Sequence, residues 1–213
     1  MSQLEREVHE FMLANPAIRK SYSAKLINRR ALARKIIREM PEIKKANFEA
    51  IIAVLRRMEF EKEEGGATVS LIRDAAVVVK DNIAIANLQK SNELVKRIER
   101  IIPKISYEKN ETFKFVVGTS SIKIFLDEKN LHLVDAFAGK REIIYIHKKI
   151  TEISLQFPEK AVSTKGILSF ITSSLSINDV IIEEFLSCSP ELLIYVRGGQ
   201  ALKAYETIKK MQK

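Results

Sequence analysis

A single cysteine, Cys188, stands in the 213 residues, so no internal disulfide can form and a reducing cytosol is the simplest compartment. Long apolar runs are missing as well. Runs such as AAVVV at Ala75–Val79 fall far short of the ~20 residues a membrane helix needs. The N-terminus, MSQLEREVHEF, is amphipathic and acidic, which does not fit a secretory signal. His9, His132 and His147 are scattered without ligand spacing, and no HExxH, CxxC or GxxxxGK[ST] occurs. Metal, redox and phosphate-loop chemistry therefore lack a motif. The Ser-rich SFITSSLS carries no GxSxG nucleophile elbow, and Cys188, closing a strand-like segment, reads as a small hydrophobe. The acidic pairs Glu183-Glu184 and Asp127-Glu128 place neighbours on opposite faces of a strand or in a turn, unsuited to paired acid/base work. The expectation is a cytoplasmic, non-enzymatic protein without metal, cofactor or membrane span.

What is present is an ordinary globular composition, 46% hydrophobic and 30% charged, enough for two or three compact units. The net charge of +9 is localised. Between Arg19 and Arg57 lie twelve Lys/Arg against three Asp/Glu, and the rest of the chain balances 24 against 24. Such a field draws polyanions through steering and counterion release. The bland alternative is a solvated helical surface.

The first sixty residues read as helices. Val8, Phe11 and Met12 share one face of the first, which stops before Asn15-Pro16, and Pro16 suits the first turn of a second, short one. Asn28 is a plausible N-cap for a third, ending near Met40-Pro41, with Leu32, Ala33, Ile36, Ile37 and Met40 on one side. Arg30, Arg34 and Arg38 line the opposite side, with Lys35 beside them. A fourth, capped by Asn47, is apolar over most of its circumference through Phe48, Ile51, Ile52, Val54, Leu55 and Met58, leaving a strip with Arg56 and Arg57. A short basic helix before a nearly buried one with a cationic strip is the outline of a helix-turn-helix. The link MPEIKKA exceeds the three or four residues of a tight one.

The acidic EKEEGG at Glu61–Gly66 marks a boundary where the charge sign flips. AAVVV and NIAIANL, separated by Lys80-Asp81, predict a hairpin, and SNELVKRIERII a helix capped by Ser91 or Asn92. FKFVV, SIKIFL and LHLVDAF follow as three strands. ITEISLQF then predicts a strand, GILSFITSSL a helix, VIIEEFLSC and ELLIYVR two strands joined at Ser189-Pro190, and GGQALKAYETIKKM a closing helix. The order β-α-β-β-α is most of a ferredoxin-like unit. Its last strand is missing, so an edge must stay open, be covered by the preceding unit, or pair with another subunit. The expected organisation is α+β: a helical, basic, helix-turn-helix-like domain over 1–64 and tandem βαββαβ units over 65–140 and 141–213.

On these residues, Ile150–Met211 resembles an ACT domain, the βαββαβ module that senses amino acids in metabolic enzymes and regulators. The carrying features are ITEISLQFPEKAVSTKGILSFITSSLSINDVIIEEFLSC and LLIYVRGGQALKAYETIKK. Val77–Phe137 resembles a more divergent unit, and the pair is similar to the tandem ACT region of aspartokinases. Pro16–Phe60, with NPAIR, INRRALARK and FEAIIAVLRR, resembles the N-terminal helical region of archaeal proteins that join it to ACT-like domains and are described as predicted regulators.

In ACT domains the loop after the first strand and the start of the first helix supply backbone donors for an effector carboxylate. The resemblance carries this onto Gln156, Phe157, Pro158, Ala161, Val162, Ser163, Thr164, Lys165 and Gly166. Pro158 lies eight residues before Gly166, a longer spacing than the family's, so either the loop is longer or the helix starts earlier, capped by Ser163. The resulting reading is a regulator whose head binds DNA through Arg29, Arg30, Arg34, Lys35, Lys44, Lys45, Arg56 and Arg57, and whose tail senses an amino acid. The alternative is an interaction module that docks on a biosynthetic enzyme without DNA. A homodimer is expected under either, motivated by the missing strand.

Overall fold

The computed structural model describes residues 2–40, 43, 48–60 and 65–213. The chain divides into two compact units, Met1–Glu64 and Gly65–Lys213.

In the first unit the described helices are α1 (Gln3–Ala14), α2 (Pro16–Ser23), α3 (Arg29–Glu39) and α4 (Phe48–Arg57). Their starts follow from local chemistry. Ser2 and Glu5 exchange side-chain and backbone hydrogen bonds in a capping box ahead of α1. Pro16, whose missing N–H costs nothing in a first turn, opens α2. Asn28 Oδ1 accepts from the Arg30 and Ala31 amides at 2.9 and 3.2 Å, starting α3. The apolar stripes meet in one core through Val8, Met12, Leu32, Ile36, Ile51 and Leu55. The Tyr22 hydroxyl crosses that core to donate to the Leu55 carbonyl. Most of the MPEIKKA link, Asn47 and Glu61–Glu64 lie outside the described residues.

The second unit opens with α5 (Gly65–Asp74), then β1 (Ala76–Gln89), α6 (Asn92–Glu99), β2 (Phe113–Val117), β3 (Ser121–Asp127) and α7 (Leu131–Phe137). It continues through β4 (Ile143–Gln156), α8 (Ile167–Ile177), β5 (Ile182–Cys188), β6 (Glu191–Arg197) and α9 (Ala201–Met211). One antiparallel sheet runs in the order β2-β3-β1-β4-β6-β5.

Two expectations are corrected, and of the three alternatives for the missing strand the structure has cover by the preceding unit. AAVVV and NIAIANL are one strand, not a hairpin: Asn82 takes a left-handed φ of 56°, and the register shifts between Lys80 and Ile83 while pairing continues on both sides. The polar dipeptide makes a bulge rather than a turn. LHLVDAF is a helix; its alternating start mimics a strand, but Leu131, Val134 and Phe137 form a stripe three apart that packs on the core. The absent fourth strand is supplied within the chain. Ala76–Lys80, the first half of β1, pairs with Glu152–Gln156 of the second repeat, so that edge needs no second subunit. Reciprocally, Ile143–His147 of β4 pairs beside Ile85–Leu88 of the first repeat. Each 14-residue central strand thus serves both repeats.

The sheet folds back on itself at these strands. Phe125 on β3 and Tyr195 on β6 have ring centroids 4.6 Å apart although β1 and β4 lie between them in strand order. Ile83, Ile85, Phe125, Ile150, Leu193 and Tyr195 fill the inner face. Ion pairs Lys114–Glu152 and Lys123–Glu184 cross the same gap, while Lys80–Asp127 joins the neighbouring strands β1 and β3. Burial, reinforced by the Glu152 carboxylate, pushes the Tyr195 hydroxyl far above its ordinary pKa, so it stays neutral. On the outside, α6 and α7 cover the first repeat with Leu94, Ile98, Val134 and Phe137. On the second, α5, α8 and α9 do so with Leu71, Ile72, Ile171, Leu175 and Ile208.

Candidate nucleic-acid and effector surfaces

In the first unit, the end of α2, the start of α3 and the end of α4 converge on a groove of about 800 Å³. Its cations are Lys25, Arg29, Arg30 and Arg56; Glu59 is the acid, and Tyr22, Ile52 and Met58 are among the apolar residues that line it. The turn after α2 is tight, with Lys25 at φ 61° and the Leu26 amide donating to the Ser21 carbonyl at 2.9 Å. That turn delivers the Asn28 cap and so aims the first turn of α3 at the groove. Arg29 and Arg56 make no ion pair among the described residues, and Arg30 has only a long contact of 3.8 Å to Glu49. Solvated, unneutralised guanidinium groups around a concave surface suit phosphate oxygens.

The remaining expected cations fall elsewhere. Arg34 lies over the Phe48 ring, its guanidinium carbon 5.9 Å from the centroid. Lys35 pairs with Glu39 at 2.5 Å, and Arg57 pairs with Glu5 of α1 at 3.1 Å. Arg56 and Arg57, adjacent in sequence, therefore serve different ends. Lys44 and Lys45 lie outside the described residues. Lys25, which sequence reasoning passed over, joins the groove because the α2–α3 turn brings it there; its isolation from the arginine run hid it.

In the second unit, the loop from β4 to α8 is longer than its counterpart in the first repeat, where Ser91 caps α6 two residues beyond β1. A 3-10 helix, Glu159–Ser163, takes up the extra length. Ser163 does not cap α8: its hydroxyl donates to the Lys160 carbonyl at 3.3 Å, and Gly166, at φ 89°, is the N-cap. Only glycine enters that conformation without strain, and having no side chain it leaves the first amides of α8 without a side-chain acceptor. Of the other expected effector residues, Gln156 is exposed at the end of β4 and Phe157 is buried in the core. Pro158 precedes the 3-10 turn, Ala161 packs against the core, and Val162 is 65% exposed. Thr164 donates to the Lys160 carbonyl at 2.9 Å. The Lys165 carbonyl accepts from the Thr68 hydroxyl of α5 at 3.0 Å. This loop is thus tied down by α5, an element whose helical character the sequence reading missed.

A second concave surface lies where β4 bends. It holds about 360 Å³ and is lined by Ile146, His147, Lys148, Lys149, Ile150, Arg197, Gly198 and Gly199. Sequence reasoning did not single it out. The doublets Lys148-Lys149 and Gly198-Gly199 are visible in the chain, but only the pairing of Ile150 with Arg197 brings them together.

The antiparallel sheet, the βαββα order met twice and the outer helices form a fold shared with solved aspartate kinase structures, regulatory subunits among them. Aspartate kinase from Clostridium acetobutylicum, described as an allosteric enzyme, matches with a TM-score of 0.55 at 17% identity over 65% of this chain. That match spans 34% of the Clostridium enzyme, about a third of its length. The ligand-free regulatory subunit of the Thermus thermophilus enzyme matches at 0.51 and 11% identity, over 66% of this chain and 97% of that one. The Thermus flavus regulatory subunit matches at 0.51 and 10% identity, over 64% and 97%. No family model and no curated protein matches the sequence. At these identities the likeness shows the fold alone.

Proposed function

We propose that this chain is a non-enzymatic, ligand-responsive regulator: its first unit binds DNA and its second senses an amino acid or similar small effector. The groove carrying Arg29, Arg30 and Arg56 supports the DNA half, since it gathers three guanidinium groups, two of them without an ion pair among the described residues, where the sequence holds its whole excess charge. The sensing half draws on the fold shared with aspartate kinase regulatory subunits. Effector and DNA are then linked reciprocally, each changing the other's affinity by one coupling free energy. In this reading a homodimer presents two heads to two half-sites, and a monomeric mass by light scattering counts against that part.

The test is fluorescence anisotropy of the full chain on genomic fragments, titrated with salt from about 50 to 200 mM. Binding should weaken steeply with salt. Replacing Arg29, Arg30 and Arg56 by alanine should reduce the log–log slope by roughly 0.9 per lost phosphate contact, about two to three in all. Absence of binding at the lowest salt, where phosphate contact is strongest, ends the DNA reading. A panel of free amino acids added to the same assay tests the sensing half.

A further inference from the structure

We propose that the cavity at the bend of β4 binds a small organic dicarboxylate, acidic amino acids included. The inference rests on the sensing reading and places the ligand at a site other than the β4–α8 loop.

The two repeats can be compared position by position. In the first, Ile83 pairs with Asp127; in the second, Ile150 pairs with Arg197. Each isoleucine follows a left-handed residue, Asn82 at φ 56° and Lys149 at φ 55°. Asp81-Asn82 thus corresponds to Lys148-Lys149, and Asp127-Glu128-Lys129 to Arg197-Gly198-Gly199. The charge is inverted between them.

The acidic version is closed by its own partners. Asp127 pairs with Lys80 at 3.0 Å and accepts from the Thr112 amide at 2.7 Å. Asp81 accepts from the Thr151 hydroxyl at 2.8 Å, and Glu128 from the Lys149 amide at 3.1 Å. The basic version is open. Neither the Lys148 nor the Lys149 ammonium has a partner among the described residues. Arg197 is held by Glu183 at 2.5 Å, with His147 at 3.5 Å from the same carboxylate. That carboxylate neutralises Arg197; Glu128 reaches the Lys149 amide rather than its ammonium, so neither lysine has an ion pair among the described residues.

The glycines complete the comparison. A Cβ on Gly198 would meet the Lys149 carbonyl at 3.1 Å, so packing accounts for that glycine. Gly199 is different: a Cβ there meets nothing within 4 Å, and its φ is not left-handed. Neither crowding nor conformation requires glycine at 199, and its effect is to leave the cavity mouth open where the first repeat carries Lys129. The volume of about 360 Å³ falls in the range of small-molecule sites. Lys148 and Lys149 both line this concave surface without an ion pair, and two ammonium groups can each take one carboxylate of a ligand with an organic spacer.

Isothermal titration of the full chain with succinate, L-glutamate, inorganic phosphate and L-lysine tests the proposal. One of the two dicarboxylates should bind saturably at one site per chain, more tightly than phosphate, with L-lysine silent. Lys148→Ala should weaken binding by about tenfold or more, as expected for losing one charge-assisted hydrogen bond. Gly199→Leu should block it by filling the cavity mouth with all cations kept. Both variants should retain the wild-type circular dichroism and melting temperature. The proposal is overturned if neither dicarboxylate binds, if phosphate binds more tightly, or if both variants bind as the wild type does. An amino acid that binds but ignores both substitutions sinks the cavity and leaves the sensing reading standing. Dicarboxylate binding lost in both variants, with no effect on DNA affinity, upholds the cavity and sinks the sensing reading.

Discussion

Replacing Phe125 by alanine asks whether the two repeats unfold as one body. Phe125 is fully buried between the folded-back halves of the sheet, its ring 4.6 Å from that of Tyr195 and packed with Ile83, Ile85 and Ile150. Deleting such a ring removes its transfer free energy and leaves a cavity, together about 3–5 kcal/mol. If the shared strands β1 and β4 bind both repeats into one cooperative unit, all core amides of that unit open together and feel the same loss. Converted at about 1.4 kcal/mol per decade, exchange should accelerate by roughly two to three and a half decades. Hydrogen exchange of the full chain, read by mass spectrometry on peptides covering β3 and α6 and on peptides covering β6 and α8, measures both repeats in one sample. The expected result is the same acceleration in both sets. Acceleration confined to β3 and α6, with α8 within about threefold of wild type, would refute the interlocked architecture: a local loss would then stop at the repeat boundary.

Other outcomes follow from single contacts. Tyr22→Phe removes the hydroxyl that donates to the buried Leu55 carbonyl and should cost the first unit about 1–3 kcal/mol, read from exchange of α4 amides. Gly166→Ala forces a Cβ into a left-handed site and should cost about 1 kcal/mol, whereas Gly199→Ala should change stability by under about 0.5 kcal/mol in the same melts. At acid pH two carboxylates matter. Lys129, then the Ser106 amide, hold Glu111 down at about 2, and Arg97, then the Gly139 amide, hold Glu142 below its ordinary value. A folded pKa below the unfolded one gives stability that is complete above the unfolded value near 4.3 and fades as pH falls through the folded value. The Glu111→Gln, Glu142→Gln double variant should therefore flatten the fall in melting temperature as pH drops from about 4 toward 2. An unchanged slope counts against these pairings.

Much of this architecture was legible where local chemistry and periodicity agree. Asn28 and Ser91 announce their helices, and the stripes of α3, α4 and α8 match the cores they enter. The stripe read for α9 through Ala201, Leu202, Tyr205 and Ile208 is half right: Ala201 and Ile208 meet the core, while Leu202 and Tyr205 are exposed. The misreadings have physical causes. Lys80-Asp81 before Asn82 has turn chemistry, yet a left-handed asparagine serves a bulge as readily as a hairpin, and which forms depends on the sequence-distant strand β4. In α7 two turns of helix offer too few residues for helical and alternating periods to separate. α5 begins on two glycines, poor helix formers, and is held from outside: Gln212 donates to the Ile72 and Ala75 carbonyls at its end. The candidate surfaces were less legible than the elements. A run of arginines shows a basic head, but ion pairs with Glu5 and Glu39 decide which of them remain available, and those pairs are tertiary or depend on rotamers.

The supplied strand changes what the repeats imply. An open fourth-strand position would invite a strand from a partner subunit; here Ala76–Lys80 and Ile143–His147 fill both positions from within the chain. Internal duplication then lets one copy act as the scaffold for the other. In the first repeat Asp81, Asp127 and Glu128 are all occupied by donors, and one of those donors is the amide of Lys149, in the second repeat's open cavity. The Glu128 carboxylate thus helps hold Lys149 in its left-handed conformation. A ligand on the lysine side would act on the acidic side through one peptide unit, giving a direct physical route between the halves of the sheet.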